Sequence, residues 1–331
     1  MSGSACVMLD ASGDAMSPGR IFRVGARYND MDKIRIGTRG SDLALWQARH
    51  VAGLLGRERV EIVIIKTQGD KVQHLSFDKM EGKGFFTREI EDALLEGRTD
   101  LAVHSMKDLP TEETPGLAVA AITVREDPSD VLLVRADRYA REKAFPLGDG
   151  AVVGTGSFRR AAQLRRAHPG VEVRPLRGNV PTRVRRLAEG KFDAVILARA
   201  GLSRLALNLS GFVDFTLPFS YFLPAPAQGA LALQVRAGDS ALAEIVSALE
   251  HRETARAIRA ERAFLKEFGG GCHVPLGALG IVQGPRVHLS GVIAALDGSA
   301  LLRRTVVDED PERAGAELAR ILKEEGADSL L

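Results

Sequence analysis

Tryptophan occurs once and tyrosine three times, and aromatic residues make up only 5% of the 331-residue chain. Stacking of bases on aromatic side chains is therefore poorly supported. Cysteine is as scarce. Cys6 and Cys272 alone cannot build a disulfide framework or a four-thiolate zinc site. The seven histidines are scattered without HxxxH spacing, so no metal site is expected. No apolar run approaches the roughly 18 residues of a membrane helix. Net charge is slight, at +2, too mild to argue for nucleic acid. Lysine is the minor base: arginine supplies 35 of the 45 basic residues. Arginine is the side chain suited to planar, two-pronged recognition of carboxylate or phosphate.

Residues 1–30 hold Ser, Gly, Asp and Pro without an apolar period, and read as a disordered tail or a misassigned start, with Met31 the first residue. They lack the basic start and apolar stretch of a secretory signal, and Asp10 and Asp14 argue against a transit peptide. From residue 33 strands and helices alternate. Residues 33–37 (KIRIG) read as a strand, with Ser41 placed to cap the following helix. Residues 60–66 (VEIVIIK) form a β-branched run, as of a strand buried on both faces. Residues 67–84 predict a long loop, 85–96 a helix, and 100–105 (DLAVHS), 117–124 and 130–135 further strands. A second alternating block runs through strands at 151–154, 171–174, 193–198 and 229–236, with helices at 157–167 and 180–188. Beyond Asp239 two helices (240–251 and 253–268), short strands and a last helix (311–325) follow. The pattern predicts two α/β domains with a cleft between them and a smaller C-terminal α+β domain.

Ligands of open α/β sheets sit beyond the carboxyl ends of the strands, and four polar clusters fall there. Gly37–Ser41 (GTRGS) suits either a capped turn or an anion held by Arg39 and backbone amides. His104–Pro110 (HSMKDLP) places Lys107 and Asp108 at a strand end, as a surface ion pair or a functional one. Gly154–Arg160 (GTGSFRR) has Arg159 where a dinucleotide fingerprint needs Gly, leaving a Gly-rich anion turn. The fourth is Arg174–Arg183 (RPLRGNVPTR). Between Arg159 and Arg204, eleven Arg and one Lys face only Glu172, Glu189 and Asp193, a net of +9. Arg165, Arg166, Arg185 and Arg186 fit solvated helix faces, and the strand-end arginines fit a polycarboxylate ligand. Cys272 lies in GGGCHVP, where three glycines bare the backbone. A buried structural thiol, a nucleophile activated by His273 and a covalent attachment point all remain open.

GTRGSDLALWQ, HSMKDLP, GTGSFRR, LRGNVPTR, LPAPAQGA and GGCHVP, in this order, resemble the signatures of the porphobilinogen deaminases, or hydroxymethylbilane synthases, over residues 33–331. The resemblance implies an enzyme of tetrapyrrole (haem) biosynthesis, a transferase joining four porphobilinogens head to tail into hydroxymethylbilane with release of ammonia. It implies a dipyrromethane cofactor bound covalently to Cys272 and a catalytic carboxylate at Asp108. Carboxylate-binding positions would be Arg39, Ser41, Lys83, Lys107, Thr155, Ser157, Arg159, Arg160, Arg177, Arg183, Arg204 and Gln228. It also implies two periplasmic-binding-protein-like α/β domains, residues 31–128 with 229–247 and residues 129–228, and a third domain, 248–331, bearing the cofactor cysteine. A cytoplasmic monomer with no membrane or nucleic-acid partner is expected. Gly156, Phe158 and Ala227 depart from the family's usual Ser, Leu and Gly, with Ala227 expected to stiffen a hinge. The alternative is a carboxylate-binding two-domain receptor without catalysis.

Overall fold

The computed structural model describes residues 33–67, 87–271 and 274–331. The first sheet is built from β1 (Ile34–Thr38), β2 (Val60–Ile64), β3 (Leu101–Ser105), β4 (Leu117–Ile122) and β10 (Leu231–Arg236) in the order β2-β1-β3-β10-β4. β1 runs parallel to β2 and β3, whereas β10 is antiparallel to both its neighbours. Helices α1 (Asp42–Leu55), α2 (Arg88–Leu95) and α6 (Ser240–Ser247) accompany it. Ile36, Leu101 and Leu233 pack with Val51 and Leu55 of α1 and Ile245 of α6.

The second sheet repeats the scheme with β5 (Asp130–Arg135), β6 (Val152–Gly154), β7 (Glu172–Arg174), β8 (Ala194–Ala198) and β9 (Phe212–Thr216), ordered β7-β6-β8-β5-β9. Its helices are α3 (Phe158–Ala167), α4 (Val180–Ala188) and α5 (Arg199–Leu205). β5 alternates between two cores: Leu132 and Val134 meet Leu164 and Phe222, while Val131 and Leu133 meet Leu187 and Leu197. That two-sided burial is why its sequence reads as an unbroken apolar run. The third unit is an antiparallel sheet of β11 (Leu276–Gln283), β12 (Arg286–Ala294) and β13 (Leu301–Asp308), covered by α7 (Arg252–Lys266) and α8 (Pro311–Glu324). Phe264, Leu289 and Leu318 are fully buried there.

The chain passes from the first sheet to the second after β4 and returns before β10, so two segments run side by side. Glu126 N–H donates to Gly229 O at 3.2 Å across them. Gly229 has φ +94, and a Cβ there would stand 2.3 Å from the Glu126 carbonyl oxygen, so only glycine fits. Glu261 of α7 is fully buried and accepts from both strands and the third sheet: Arg125 Nη1 at 2.6 Å, Ala227 N–H at 2.6 Å and Gly280 N–H at 2.7 Å.

Several expectations need correction. β2 is an edge strand with Ile64 56% exposed, so its β-branched run reflects strand propensity rather than burial on both faces. The C-terminal strands are not short but eight, nine and eight residues long. β9 and α5 went unforeseen. β9 is a five-residue strand at a sheet edge, and α5 starts directly from β8 without a side-chain cap. The expected tail (1–30) and nearly all of the loop expected at 67–84 lie outside the described residues.

Candidate active site

Ile36, Gly37 and Thr38 end β1 fully inside the core, and the chain then turns into α1. Ser41 caps that helix, its hydroxyl accepting from Ala44 N–H at 3.4 Å. At the end of β3 a short 3-10 turn, Met106–Asp108, follows. Buried Met106 and Leu109 pin its two ends, which leaves Asp108 projecting, exposed. The turn is fixed from three sides. Met106 N–H donates to Ala230 O at 3.0 Å. Arg262 of α7 donates to Leu109 O at 2.9 Å and Pro110 O at 2.6 Å. Thr111 lies so close to the Gly-rich turn that a Cβ at Gly270 would meet its hydroxyl at 2.1 Å. Thr38, Arg39, Ser41, Gln47, His104, Ser105 and Asp108 line one pocket here, and Gln47 Nε2 donates to Ser105 Oγ at 2.7 Å.

On the second sheet Ser157 caps α3, and Thr155 Oγ1 accepts from Ser157 N–H at 3.2 Å. Arg159 and Arg160, expected to bind ligand, are both buried against Asp130, each with a guanidinium nitrogen 2.7 Å from its carboxylate. Arg160 also donates to Ile196 O at 3.0 Å, so all its nitrogens are engaged. Among the described residues Arg159 uses Nη1, towards Asp130 and Leu223 O, and its Nε and Nη2 make no hydrogen bond. Burial pushes the Asp130 carboxyl up, but the two guanidiniums outweigh it and hold it well below the usual carboxylate range.

Gln228 joins the two sheets. Its Nε2 donates to Asp130 Oδ1 at 2.9 Å and Pro128 O at 2.8 Å, and its Oε1 accepts from Lys107 Nζ at 3.3 Å. Lys107 thus turns towards the second sheet. Among the described residues it forms no ion pair with its neighbour Asp108, which sequence adjacency had suggested. Burial lowers the Lys107 ammonium to about 8, against the opposing pull of Asp108. Arg204 is likewise buried. It donates to Gly229 O at 2.6 Å and lies 5.6 Å over the Trp46 ring of α1. Arg177 and Arg183 are half-buried, and Arg183 Nε donates to Gly178 O at 2.8 Å. Lys83 and Cys272 lie outside the described residues.

Part of the +9 segment is compensated at the surface, where Arg174 pairs with Glu172 and Lys191 with Glu189. Asp130 was not foreseen as part of the site. The available signal was an acid opening the apolar run VLLV of β5, a position that requires a buried cationic partner. Among the described residues no cluster of His, Cys, Asp and Glu could hold a metal.

Two α/β units joined by paired crossing strands, with capped helix N-termini and arginines at the strand ends, define a class of two-unit α/β proteins. Family models narrow the class. Residues 34–244 match "Porphobilinogen deaminase, dipyromethane cofactor binding domain" and residues 255–324 match "Porphobilinogen deaminase, C-terminal domain". Curated relatives include the porphobilinogen deaminases of Syntrophomonas wolfei, 44% identical over 91% of this chain and 98% of that protein, and Moorella thermoacetica, 45% identical over 91% and 96%. The chain belongs to the porphobilinogen deaminase family, and its activity is that of a hydroxymethylbilane synthase. Similar solved structures include the periplasmic VFT2 domain of Bordetella pertussis BvgS, 18% identical with a TM-score of 0.38 over 65% of this chain and 85% of that one. A periplasmic binding protein from Brucella ovis with glutathione bound is 18% identical with a TM-score of 0.40 over 72% and 70%. The fold rests on the strand pairing described above rather than on these likenesses.

Proposed function

We propose that Asp108 is the catalytic carboxylate of this hydroxymethylbilane synthase and that Cys272 is the attachment point of its dipyrromethane. The close packing of the Gly-rich turn on the Asp108 turn, through Gly270 against Thr111 and Arg262 on the carbonyls of Leu109 and Pro110, carries this reading. It brings the described end of the Gly-rich turn beside the turn that bears Asp108. The donors fit a group bearing several carboxylates: Arg39 and Ser41 on one rim, Ser157, Arg177, Arg183 and the free face of Arg159 on the other. When bound, the dipyrromethane supplies the free pyrrole α-carbon to which the first porphobilinogen is joined.

Asp108 accepts from the pyrrole N–H of the incoming porphobilinogen and offsets the positive charge that develops as ammonia leaves its aminomethyl carbon. Arg39 and Ser41 take the acetate or propionate of that ring. Each such charge-assisted hydrogen bond contributes about 1.5–3 kcal/mol, so loss of one arginine weakens binding without abolishing it. Arg160 acts by holding Asp130, and Asp130 in turn fixes Gln228 and the direction of Lys107. The chain works as a cytoplasmic monomer of three domains, residues 31–128 with 229–247, 129–228 and 248–331, a division supported by sheet membership. No helix among the described residues is long and apolar enough to cross a membrane. Intact mass tests the reading. The purified chain should exceed its sequence mass by two linked pyrroles, and Cys272→Ser should not. An adduct retained on Cys272→Ser would refute the attachment.

A further inference from the structure

The pocket beside Asp108 has a wall that the steps above leave unused. His104 lies on β3 and lines that pocket with Arg39, Ser41, Ser105 and Asp108, yet only 4% of it is exposed. Its Nε2 lies 3.1 Å from Gln234 Oε1, and Gln234 Nε2 donates to Glu91 Oε1 at 2.9 Å. Both Gln234 and Glu91 are buried. This chain has one chemical reading. A carboxylate can only accept, so it draws the amide nitrogen of Gln234. The amide oxygen must then face His104, and Nε2 must carry the imidazole proton. That leaves Nδ1 with a lone pair, and Nδ1 makes no hydrogen bond among the described residues.

We propose that His104 presents Nδ1 as a hydrogen-bond acceptor to an N–H of the pyrrole substrate bound beside Asp108, with Glu91 and Gln234 as positioning residues that fix its tautomer. The proposal rests on the Asp108 reading above. Arginines and lysines cannot serve this purpose, because they donate only. The imidazole stays neutral in use, since burial lowers it to about 4 despite the opposing pull of Gln234 and Asp108. It therefore keeps its lone pair wherever the pyrrole is intact. The substrate's carboxylates go to the cationic rims, and His104 reads the nitrogen side of the ring.

Two substitutions separate this role from a structural one. Glutamine at 104 keeps a nitrogen where Nε2 stood and holds the Gln234 link, but removes the acceptor. Asparagine places an amide oxygen where Nδ1 stood but breaks the link. On the cofactor-loaded protein, His104→Gln should melt close to wild type yet lose about tenfold or more in kcat/KM for porphobilinogen, the scale of one hydrogen bond lost to a positioned donor. His104→Asn should melt lower yet stay within about threefold in kcat/KM. Activity that follows stability instead, with His104→Gln the better enzyme, would overturn the proposal. So would a nitrogen-15 spectrum of the wild-type protein with the proton on Nδ1. Failure of the Asp108 reading would show separately, as an Asp108→Asn protein with undiminished turnover, and leaves the tautomer measurement unaffected.

Discussion

Asp108 stands exposed in the turn that follows a strand whose residues Leu101 to His104 are buried, and no hydrogen bond or ion pair with a described residue engages its carboxylate. An acid that no described residue engages, on a turn held by its neighbours, is available to substrate and is not what holds that turn. Asp108→Asn should keep the wild-type melting temperature and lose at least about a hundredfold in turnover. Steady-state assay beside thermal melts checks both halves. Lys107 sets a pH dependence. With its ammonium lowered to about 8, the folded protein loses that charge above pH 8. Carboxylate affinity should then fall, and KM for porphobilinogen should rise as pH passes through 8. Lys107→Arg should flatten that rise, because a guanidinium stays charged. The linkage to stability has the opposite sign. Between about pH 8 and the unfolded value of 10.5 the unfolded chain binds more protons, so this group's contribution to stability grows with pH.

At the scale of elements, the turns and crossing strands matter more than the sheets they join. Gly229 permits two backbones to approach within a distance no Cβ allows. Because the obstructing atom is a backbone oxygen, it cannot rotate away. Gly229→Ala should cost at least about 2 kcal/mol, from the steric contact and the left-handed φ together, measurable by urea unfolding. Ala227, two residues earlier, also has a left-handed φ of 64. That conformation is the physical reason glycine suits this position, and the alanine here carries the strain that glycine avoids. The edge position of β2 is also an element-scale fact, since a run of Val and Ile does not reveal how many strands will flank it.

Across the whole molecule, Glu261 is where the three sheets meet. One carboxylate binds Arg125 leaving the first sheet, Ala227 returning from the second and Gly280 in the third. It is fully buried, and its charge is matched by Arg125 at 2.6 Å. Glu261→Gln would turn an amide NH2 towards at least one of these donors and leave Arg125 without its counter-charge. Such losses typically cost about 3–5 kcal/mol. Urea unfolding of Glu261→Gln should show that loss, and separate transitions for the third sheet and the rest would show that the clamp also couples them. A wild-type midpoint would mean that the joint is held by other contacts.

The sequence by itself determined the alternation of strands and helices, the capping by Ser41 and Ser157, the strand-end placement of Asp108 and the family. Each of these depends on local spacing or on an uninterrupted motif, so neighbours in sequence suffice to read it. Tertiary structure alone decided how the charges are used. Arg160 and Arg204 look alike in sequence to the arginines of the rim, yet Asp130, Trp46 and backbone carbonyls claim them. Lys107 is adjacent to Asp108 in the chain and turns instead to Gln228, 121 residues away. The partners of a buried charge come from wherever the fold brings compensating groups, and no local pattern records that distance.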